Sequence, residues 1–343
     1  MDQFEPKLHN EVYPFVHPVK FKTSLRGKVT LLTGSTGTIG WAMVECFFVA
    51  GAHLILTYNR NKPSLDFLNR CRALGAAAAK PIHCNVSDLD SCQNLIKQLD
   101  STVGKIDILI NNAGVDSIGP MHVKDPAAII KDLAINLHGP LFLMRLVMPD
   151  FIQAGRGTII NVASRGGTVD LPFNTTYSTS KAALIRLTSS WQAELQLGGH
   201  DGIQLYAIHP GAVPSQMTSA GILLLFAIPS AALLTVSQVH PEEIMGEYSH
   251  LVKGMAQVLE NFKDSPYLSG MVSVALATGI AKDCLNGKYF DVQQDLGDVI
   301  AQASALRDNS DLYKMQVAFL GDLPNNGGTE NIAPEKAFNF PGY

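Results

Sequence analysis

The chain has 343 residues, of which 46% are hydrophobic and 16% are charged, a balance that favours a large buried core and excludes a disordered chain. The formal net charge of -4 comes from mixed signs spread along the chain, without a basic run that could neutralise a row of phosphates, so nucleic acid is not expected as a partner. The cysteines are odd in number and form no CxxC or Cys/His cluster, which predicts a reducing compartment and no metal site. They are Cys46, Cys71, Cys84, Cys92 and Cys284.

The two ends of the chain carry no targeting signal that we recognise. The first residues include Asp2, Glu5 and Lys7, where a secretion signal would need an apolar run. The last residues, Phe340-Pro341-Gly342-Tyr343, match no peroxisomal tripeptide. We therefore expect a cytoplasmic protein.

Residues 1–27 lack periodicity and contain three prolines, which predicts an N-terminal arm lying over the body of the protein. From residue 28 onward, apolar β-branched runs alternate with amphipathic segments. The predicted strands are 29–33, 53–58, 78–83, 106–111, 158–163, 203–209 and 288–292, and the predicted helices are 38–50, 63–74, 88–103, 126–151 and 175–197.

Strands separated by helices of this length pair in parallel through right-handed crossovers. The pattern therefore predicts an α/β protein with one doubly wound parallel sheet, covered by helices on both faces in three α/β/α layers. We expect a single domain over residues 28–295 and a C-terminal extension over 296–343, in which 322–328 reads as a surface loop.

An uncharged stretch covers residues 203–240, and its segment 221–236 reads GILLLFAIPSAALLTV. This segment is shorter than the roughly 20 residues that a membrane helix needs and contains Pro229, so no transmembrane segment is expected. Three interpretations stay open: a buried helix pair, an apolar lid over a substrate pocket, or a patch that touches a lipid surface. We treat 212–262 as the substrate-lid region of the domain.

A glycine-rich loop, TGSTGTIG at residues 33–40, follows the first strand and opens the first long helix. In this setting glycines allow the backbone to approach a pyrophosphate, whose charge the helix N-terminus stabilises. The alternative is a structural turn. The predicted cofactor-binding residues of the loop are Gly34, Ser35, Thr36, Gly37, Thr38, Ile39 and Gly40.

The second strand ends in Tyr58-Asn59-Arg60. An acidic residue there would bind the ribose 2′-hydroxyl of NAD, whereas the planar guanidinium of Arg60 can pair with a 2′-phosphate. Asn59 and Arg60 therefore favour NADP over NAD, the alternative being a solvated arginine at a loop tip.

Tyr177 and Lys181 are four residues apart in a predicted helix, so their side chains share one helix face. A nearby ammonium stabilises phenolate and is expected to lower the pKa of Tyr177 from about 10 towards a working range. By spacing alone, a chance pair on the protein surface is the better interpretation.

The motifs described so far and several others occur along the chain in a characteristic order, most of them at the ends of predicted strands. They are the glycine loop, Asn111-Asn112-Ala113-Gly114, Asn136 within INLHG, Ser164, Tyr177 with Lys181, and His209-Pro210-Gly211. In this set the sequence resembles the short-chain dehydrogenase/reductase family over roughly residues 26–295. It resembles the single-domain branch of that family, with a Rossmann fold and with added N- and C-terminal extensions.

The resemblance implies four catalytic residues. Ser164 would hydrogen-bond the substrate oxygen and Tyr177 would exchange its proton. Lys181 would bind the nicotinamide ribose and tune Tyr177, while Asn136 would hold a water molecule that links Lys181 to solvent. His209 is interpreted as a core residue.

The resemblance also implies further cofactor contacts. Asn85, Val86, Asn112, Ala113 and Gly114 would lie on the adenine-ribose side, and Pro210, Gly211, Val213 and Ser215 would flank the nicotinamide, beside Tyr177 and Lys181. The chain departs from the usual pattern at Thr38, which replaces a glycine and gives the spacing TGxxGxxG, at Asn85, which replaces an aspartate, and at Ser215, which replaces a threonine.

Together these features predict an NADP(H)-dependent oxidoreductase that moves a hydride between nicotinamide C4 and the carbonyl or alcohol carbon of a bulky apolar small molecule, acting as a ketone reductase. Two alternatives use the same pocket: a non-redox cyclase, dehydratase or epimerase, and a non-catalytic cofactor-binding scaffold. The long apolar helices at 126–151 and 175–197 favour a homodimer or homotetramer.

Overall fold

The computed structural model describes residues 4–74, 79–215, 217 and 261–319. Within these residues seven strands form one sheet: β1 (Val29–Leu32), β2 (His53–Tyr58), β3 (Ala79–His83), β4 (Ile108–Asn111), β5 (Gly157–Val162), β6 (Ile203–His209) and β7 (Tyr289–Asp291). All neighbours pair in parallel, in the order β3-β2-β1-β4-β5-β6-β7. The doubly wound parallel sheet expected from the sequence is confirmed.

The predicted helices are present, and further helices that were not predicted occur before residue 22 and after residue 265. In chain order they are α1 (Pro18–Phe21), α2 (Thr38–Val49), α3 (Leu65–Ala73), α4 (Leu89–Thr102), α5 (Pro126–Leu133), α6 (Gly139–Ala154), α7 (Thr175–Leu197), α8 (Pro266–Ala277), α9 (Lys282–Leu285), α10 (Leu296–Ala301) and α11 (Ala303–Asp308). The single helix predicted over 126–151 is interrupted, because a π-helical segment, Ala134–His138, joins α5 to α6.

Apolar side chains cover both faces of the sheet. Phe47 of α2 and Met271 of α8 belong to the core on one face, whereas Leu143 and Phe151 of α6 belong to the core on the other. A sheet buried on both faces needs strands that are apolar along their whole length. This explains why all four residues of β4, ILIN, are buried.

The N-terminal arm packs on the C-terminal part of the described chain. Tyr13 and Val16 are buried in the core of the α2 and α8 face. Leu8 forms an isolated antiparallel bridge with Gln294, and the amide of His9 donates to the carbonyl of Gln293 at 2.7 Å. The division into arm, domain and C-terminal extension stays a prediction.

Three features predicted from the sequence fall wholly or mainly outside the described residues. They are the apolar run 221–236, most of the proposed lid region 212–262, and the loop 322–328.

By length and composition, one helix in the described part of the chain, Pro126–Ala154, is long and apolar enough to cross a membrane. Its α6 portion packs against β4, β5 and α4. A helix that packs in the core against a sheet can be equally long and apolar. We therefore do not assign this helix to a membrane.

Tyr13 provides a test of the arm. Its buried hydroxyl accepts from the amide of Leu296 at 2.8 Å and donates to the carbonyl of Gln294 at 3.2 Å. Tyr13→Phe leaves a buried amide without a partner, and we expect a loss of about 1–3 kcal/mol in the free energy of unfolding, measured by urea denaturation.

Tyr58→Phe is the matched control, because no hydrogen bond is formed by the Tyr58 hydroxyl within the described residues, and we expect it to change stability by less than about 0.5 kcal/mol. Equal effects of the two substitutions would contradict the proposed anchoring of the arm.

Candidate functional site

The glycine loop lies at the carboxyl end of β1 and requires glycine at two positions. Gly34 has a φ of +64°, and a Cβ there would lie 2.8 Å from the Cα of Ala113. A Cβ on Gly40 would lie 2.2 Å from the carbonyl oxygen of Gly34. At Gly37 the nearest such atom is 3.6 Å away, an ordinary contact. Gly34 and Gly40 therefore allow the close turn that opens α2.

Hydrogen bonds join this loop to the end of β4. The Thr33 hydroxyl accepts from the amides of Asn112 at 2.9 Å and Ala113 at 3.0 Å. The Asn112 side-chain amide donates to the carbonyls of Thr33 at 2.9 Å and Gly34 at 3.0 Å. The Asn112–Gly114 segment thus fixes the shape of the glycine loop from the neighbouring strand.

A cavity of about 740 Å³ runs from the glycine loop to Tyr177, across the carboxyl ends of the strands. Such a volume is typical of small-molecule and cofactor sites. The predicted cofactor residues that line it are Gly34, Thr36, Gly37, Thr38, Ile39, Gly40, Asn59, Arg60, Asn85, Val86, Asn112, Ala113, Gly114, Tyr177, Lys181, Pro210 and Ser215. Gly34 and Gly40 allow a tight turn that leaves the loop backbone along the cavity, an arrangement that fits a dinucleotide and that we call the glycine cradle.

Three predicted cofactor residues do not line this cavity. Ser35 is buried beneath the loop, where its hydroxyl donates to the carbonyl of Thr57 at 3.0 Å. Gly211 has a φ of +90° and packs against Asp264. Val213 is buried. These residues support the walls of the site.

Arg60 and Asn59 are exposed at the mouth of the cavity. The Asn85 carboxamide oxygen accepts from the Ser87 hydroxyl at 2.8 Å, so it shapes the turn after β3.

Tyr177, Ser164 and Lys181 meet at the other end of the cavity. The Ser164 hydroxyl lies beside the Tyr177 side chain, and its influence lowers the pKa of the phenol. The ammonium of Lys181 is buried, lies 5.6 Å from the centre of the Tyr177 ring, and donates to the carbonyl of Val162 at 2.7 Å. A tyrosine, a serine and a lysine converge here on one point beside the cavity.

The pKa values correct one expectation from the sequence. Burial raises the pKa of Tyr177 to about 12, and the charge of Asp116 acts in the same direction. Ser164 lowers this pKa, but by less than burial raises it. Burial also lowers the pKa of Lys181 to about 8. The predicted lowering of the Tyr177 pKa by Lys181 is not found in the protein alone, where burial raises this pKa and the Lys181 ammonium donates to the Val162 carbonyl.

Asn136 is fully buried in the π-helical segment. Its side-chain oxygen accepts from the amide of Val115 at 2.9 Å, and its nitrogen donates to the Val115 carbonyl at 2.8 Å and to the Ser180 hydroxyl at 3.1 Å. π-Helical segments are frequent at functional sites. Here the segment connects the loop after β4 to the helix that carries Tyr177.

The sequence analysis missed an acidic pair near Tyr177, formed by Asp116 and Asp132. Asp132 is fully buried and accepts from the hydroxyls of Ser117 at 2.8 Å and Thr176 at 2.7 Å. The side-chain amide of Asn174 donates to Asp116. No spacing rule could find this cluster, because its members are adjacent only in the fold.

Other residues also line the cavity without having been predicted, among them Trp41, Tyr267 and Lys131. Trp41 and Tyr267 both donate to the buried carboxylate of Glu45, at 3.3 Å and 2.6 Å.

His209 accepts a hydrogen bond from the amide of Arg165 at 3.1 Å. Burial lowers its pKa to about 4, so it is neutral and structural. No group of His, Cys, Asp or Glu suited to a metal ion occurs in the described ranges.

Comparison with known proteins agrees with this geometry. A family model described as short chain dehydrogenase matches residues 28–221. A short chain dehydrogenase of Pseudocercospora fijiensis is 30% identical, covering 85% of this chain and 88% of its own. The short chain dehydrogenase pigC of Monascus ruber is 27% identical, covering 91% and 92%.

Among solved structures, one from Beutenbergia cavernae has the same fold, with a TM-score of 0.62 and 23% identity over 79% of this chain and 97% of its own. It is provisionally named an NAD(P)-dependent gluconate 5-dehydrogenase and holds NADP at low occupancy. The matched family model and the relatives of similar length show that this chain belongs to the short-chain dehydrogenase/reductase family and is an NAD(P)-dependent enzyme of it.

Proposed function

We propose that the protein is an NADP(H)-dependent ketone reductase, which moves a hydride between nicotinamide C4 and the carbonyl carbon of a bulky apolar substrate. The observation that carries this proposal is the placement of the Tyr177 phenol beside Ser164 and the buried Lys181, at one end of a cavity that begins at the glycine cradle. When bound, the nicotinamide supplies the hydride.

The chain's own residues handle the proton. Ser164 holds the substrate oxygen, and Tyr177 donates its proton to that oxygen as negative charge develops. With its pKa raised to about 12 by burial, Tyr177 carries its proton at neutral pH, as a proton donor must. This protonated form is the one that carbonyl reduction requires.

Lys181 and Asn136 have supporting roles in this proposal. Lys181 is held by the Val162 carbonyl at a point where its remaining N–H groups can meet the nicotinamide ribose. Asn136 fixes the Val115 backbone and the Ser180 hydroxyl, which lies next to Lys181 in the chain. The water-binding role of Asn136 stays a prediction.

The cofactor residues fall into three groups along the cavity. The amides at the start of α2 would meet the pyrophosphate, since a helix N-terminus favours an anion. The segments at 59–60, 85–86 and 112–114 would take the adenosine half, and Pro210 and Ser215 would take the nicotinamide half.

The preference for a bulky apolar substrate rests on the uncharged sequence at 203–240 and on apolar side chains that line the cavity. Val115, Ile135 and Met217 are among these lining residues. The cytoplasmic location and the homodimer or homotetramer also stay predictions.

Tyr177→Phe tests the catalytic assignment. Loss of the proton donor is expected to lower kcat by about 10²- to 10⁴-fold, while NADPH affinity stays within about twofold. Turnover is followed as NADPH absorbance at 340 nm with bulky aryl ketones, and NADPH binding by fluorescence titration.

A Tyr177→Phe variant with near wild-type turnover would contradict the role of Tyr177. A wild-type protein that leaves NADPH unconsumed with every ketone, yet converts them to other products, would indicate the non-redox alternative. Turnover confined to small hydrophilic sugars would overturn the substrate class.

Gly40→Ala tests the glycine cradle. The added methyl would lie 2.2 Å from the Gly34 carbonyl, so the loop must move, and we expect a cost of about 1–3 kcal/mol in stability. NADPH affinity should fall by more than about tenfold, as measured by fluorescence titration.

Gly37→Ala is the matched control in the same loop, because its methyl would meet the Gly34 carbonyl at an ordinary 3.6 Å. We expect NADPH affinity within about threefold of wild type. If both alanine variants bound NADPH equally well, the cradle would not be the pyrophosphate site.

Arg60→Ala tests the choice of cofactor. Loss of a charged hydrogen bond to a 2′-phosphate, worth about 1.5–3 kcal/mol, should weaken NADPH binding by about 10- to 100-fold and leave NADH binding unchanged. Lys62→Ala, which removes an exposed charge two residues away, should leave both affinities within about threefold. Equal effects of Arg60→Ala on NADPH and NADH would contradict the NADP preference.

A further inference from the structure

The loop that follows β4 is tied to the residues leading into α7. The Asn174 side-chain amide donates to one oxygen of Asp116, and the amide of Gly119 donates to the Phe173 carbonyl at 2.9 Å. Asn174 precedes Tyr177 by three residues. Asp116 is therefore held beside the first turn of the helix that carries the proton donor.

A second tie, through Lys124, involves Asp132 directly and Asp116 only from a greater distance. The buried Lys124 ammonium lies 3.9 Å from the fully buried Asp132 and donates to the Thr176 hydroxyl at 2.8 Å. Lys124 thus offsets the charge of Asp132 more than that of Asp116. The second oxygen of Asp116 is buried, and no group of the described residues hydrogen-bonds it.

We propose that Asp116 is a positioning residue for proton transfer: its carboxylate keeps Tyr177 in the protonated form and so extends to higher pH the range in which Tyr177 donates a proton. This inference rests on the proposed role of Tyr177 and adds a residue that acts through it. A negative charge near a phenol disfavours phenolate, which would place a second negative charge in a poorly hydrated site.

The charged groups around Asp116 act on it in opposite directions. Burial, the largest influence, raises the pKa of Asp116 to about 6; among the described residues Asp132 also raises this pKa, whereas Lys124 and Lys181 lower it. Asp116 is therefore mainly ionised at neutral pH. Ionised Asp116 raises the pKa of both Tyr177 and Lys181, favouring phenol and ammonium. Tyr289, on β7, is the other phenol close enough to interact with Tyr177.

Asp116→Asn tests the inference, because the amide keeps the shape of the side chain and an acceptor for Asn174 but removes the charge. The probe is ¹³Cζ-labelled tyrosine NMR in saturating NADP⁺, with the Tyr177 signal assigned by its absence in Tyr177→Phe. We expect the titration midpoint of Tyr177 to fall by about one pH unit. The alkaline limb of ketone reduction should move down by the same amount.

Two controls separate charge from packing. Asp170→Asn removes an equal charge from an exposed position and should leave the midpoint unchanged. Asp116→Glu keeps the charge and should hold the midpoint near that of wild type. If Asp116→Asn does not fold, Asp116→Ser provides the charge-free variant.

A midpoint in the charge-free variant that stays at the wild-type value, or rises, would overturn the inference. An equal fall in Asp116→Glu would also overturn it, since the effect would then come from packing. The NMR midpoint does not depend on turnover, so absence of NADPH oxidation with the predicted shift present would refute the proposed function alone. Normal turnover without the shift would refute this inference alone.

Discussion

The hydrogen bonds between Thr33 and the Asn112–Ala113 backbone join β1 to β4 at the point where the chain turns to opposite faces of the sheet. β1 lies between β2 and β4, so the connections that leave it and its neighbour diverge and open a crevice at their carboxyl ends. Four hydrogen bonds connect the two strand ends here. The Thr33 hydroxyl accepts two from the backbone after β4, and the Asn112 side chain donates two to the backbone after β1. The glycine cradle owes its shape to them, and the segment after Asn112 continues directly to the proton-transfer residues.

From that junction, one loop connects the cofactor cavity to the chemistry. Val115 binds Asn136, and Asp116 binds Asn174. The loop therefore contacts both the π-helical segment and the start of α7, and it places a carboxylate close to Tyr177. In this arrangement the cavity, the proton donor and the carboxylate that we propose acts on its protonation are connected by a single segment of about five residues.

The sheet and most helices could be predicted because a parallel sheet buried on both faces demands long apolar runs, and these are visible in the sequence. The need for Gly34 and Gly40 could also be predicted, because a glycine-rich loop between a strand and a helix is evident in the sequence. In the structure a Cβ at either position would collide with backbone atoms. The π-helical break at Ala134–His138 was not, because the helical periodicity of 126–151 continues through it. Nor could the raised pKa of Tyr177 be predicted, because it depends on burial and on Asp116, a residue distant in sequence.

The central claim is that one crevice holds the dinucleotide and presents its nicotinamide to Tyr177. A crystal structure after soaking with NADPH tests this most directly. We expect the pyrophosphate over residues 34–40, the 2′-phosphate beside Arg60, and nicotinamide C4 facing the space next to the Tyr177 hydroxyl. Nucleotide density elsewhere on the protein, or a nicotinamide directed away from Tyr177, would contradict the account.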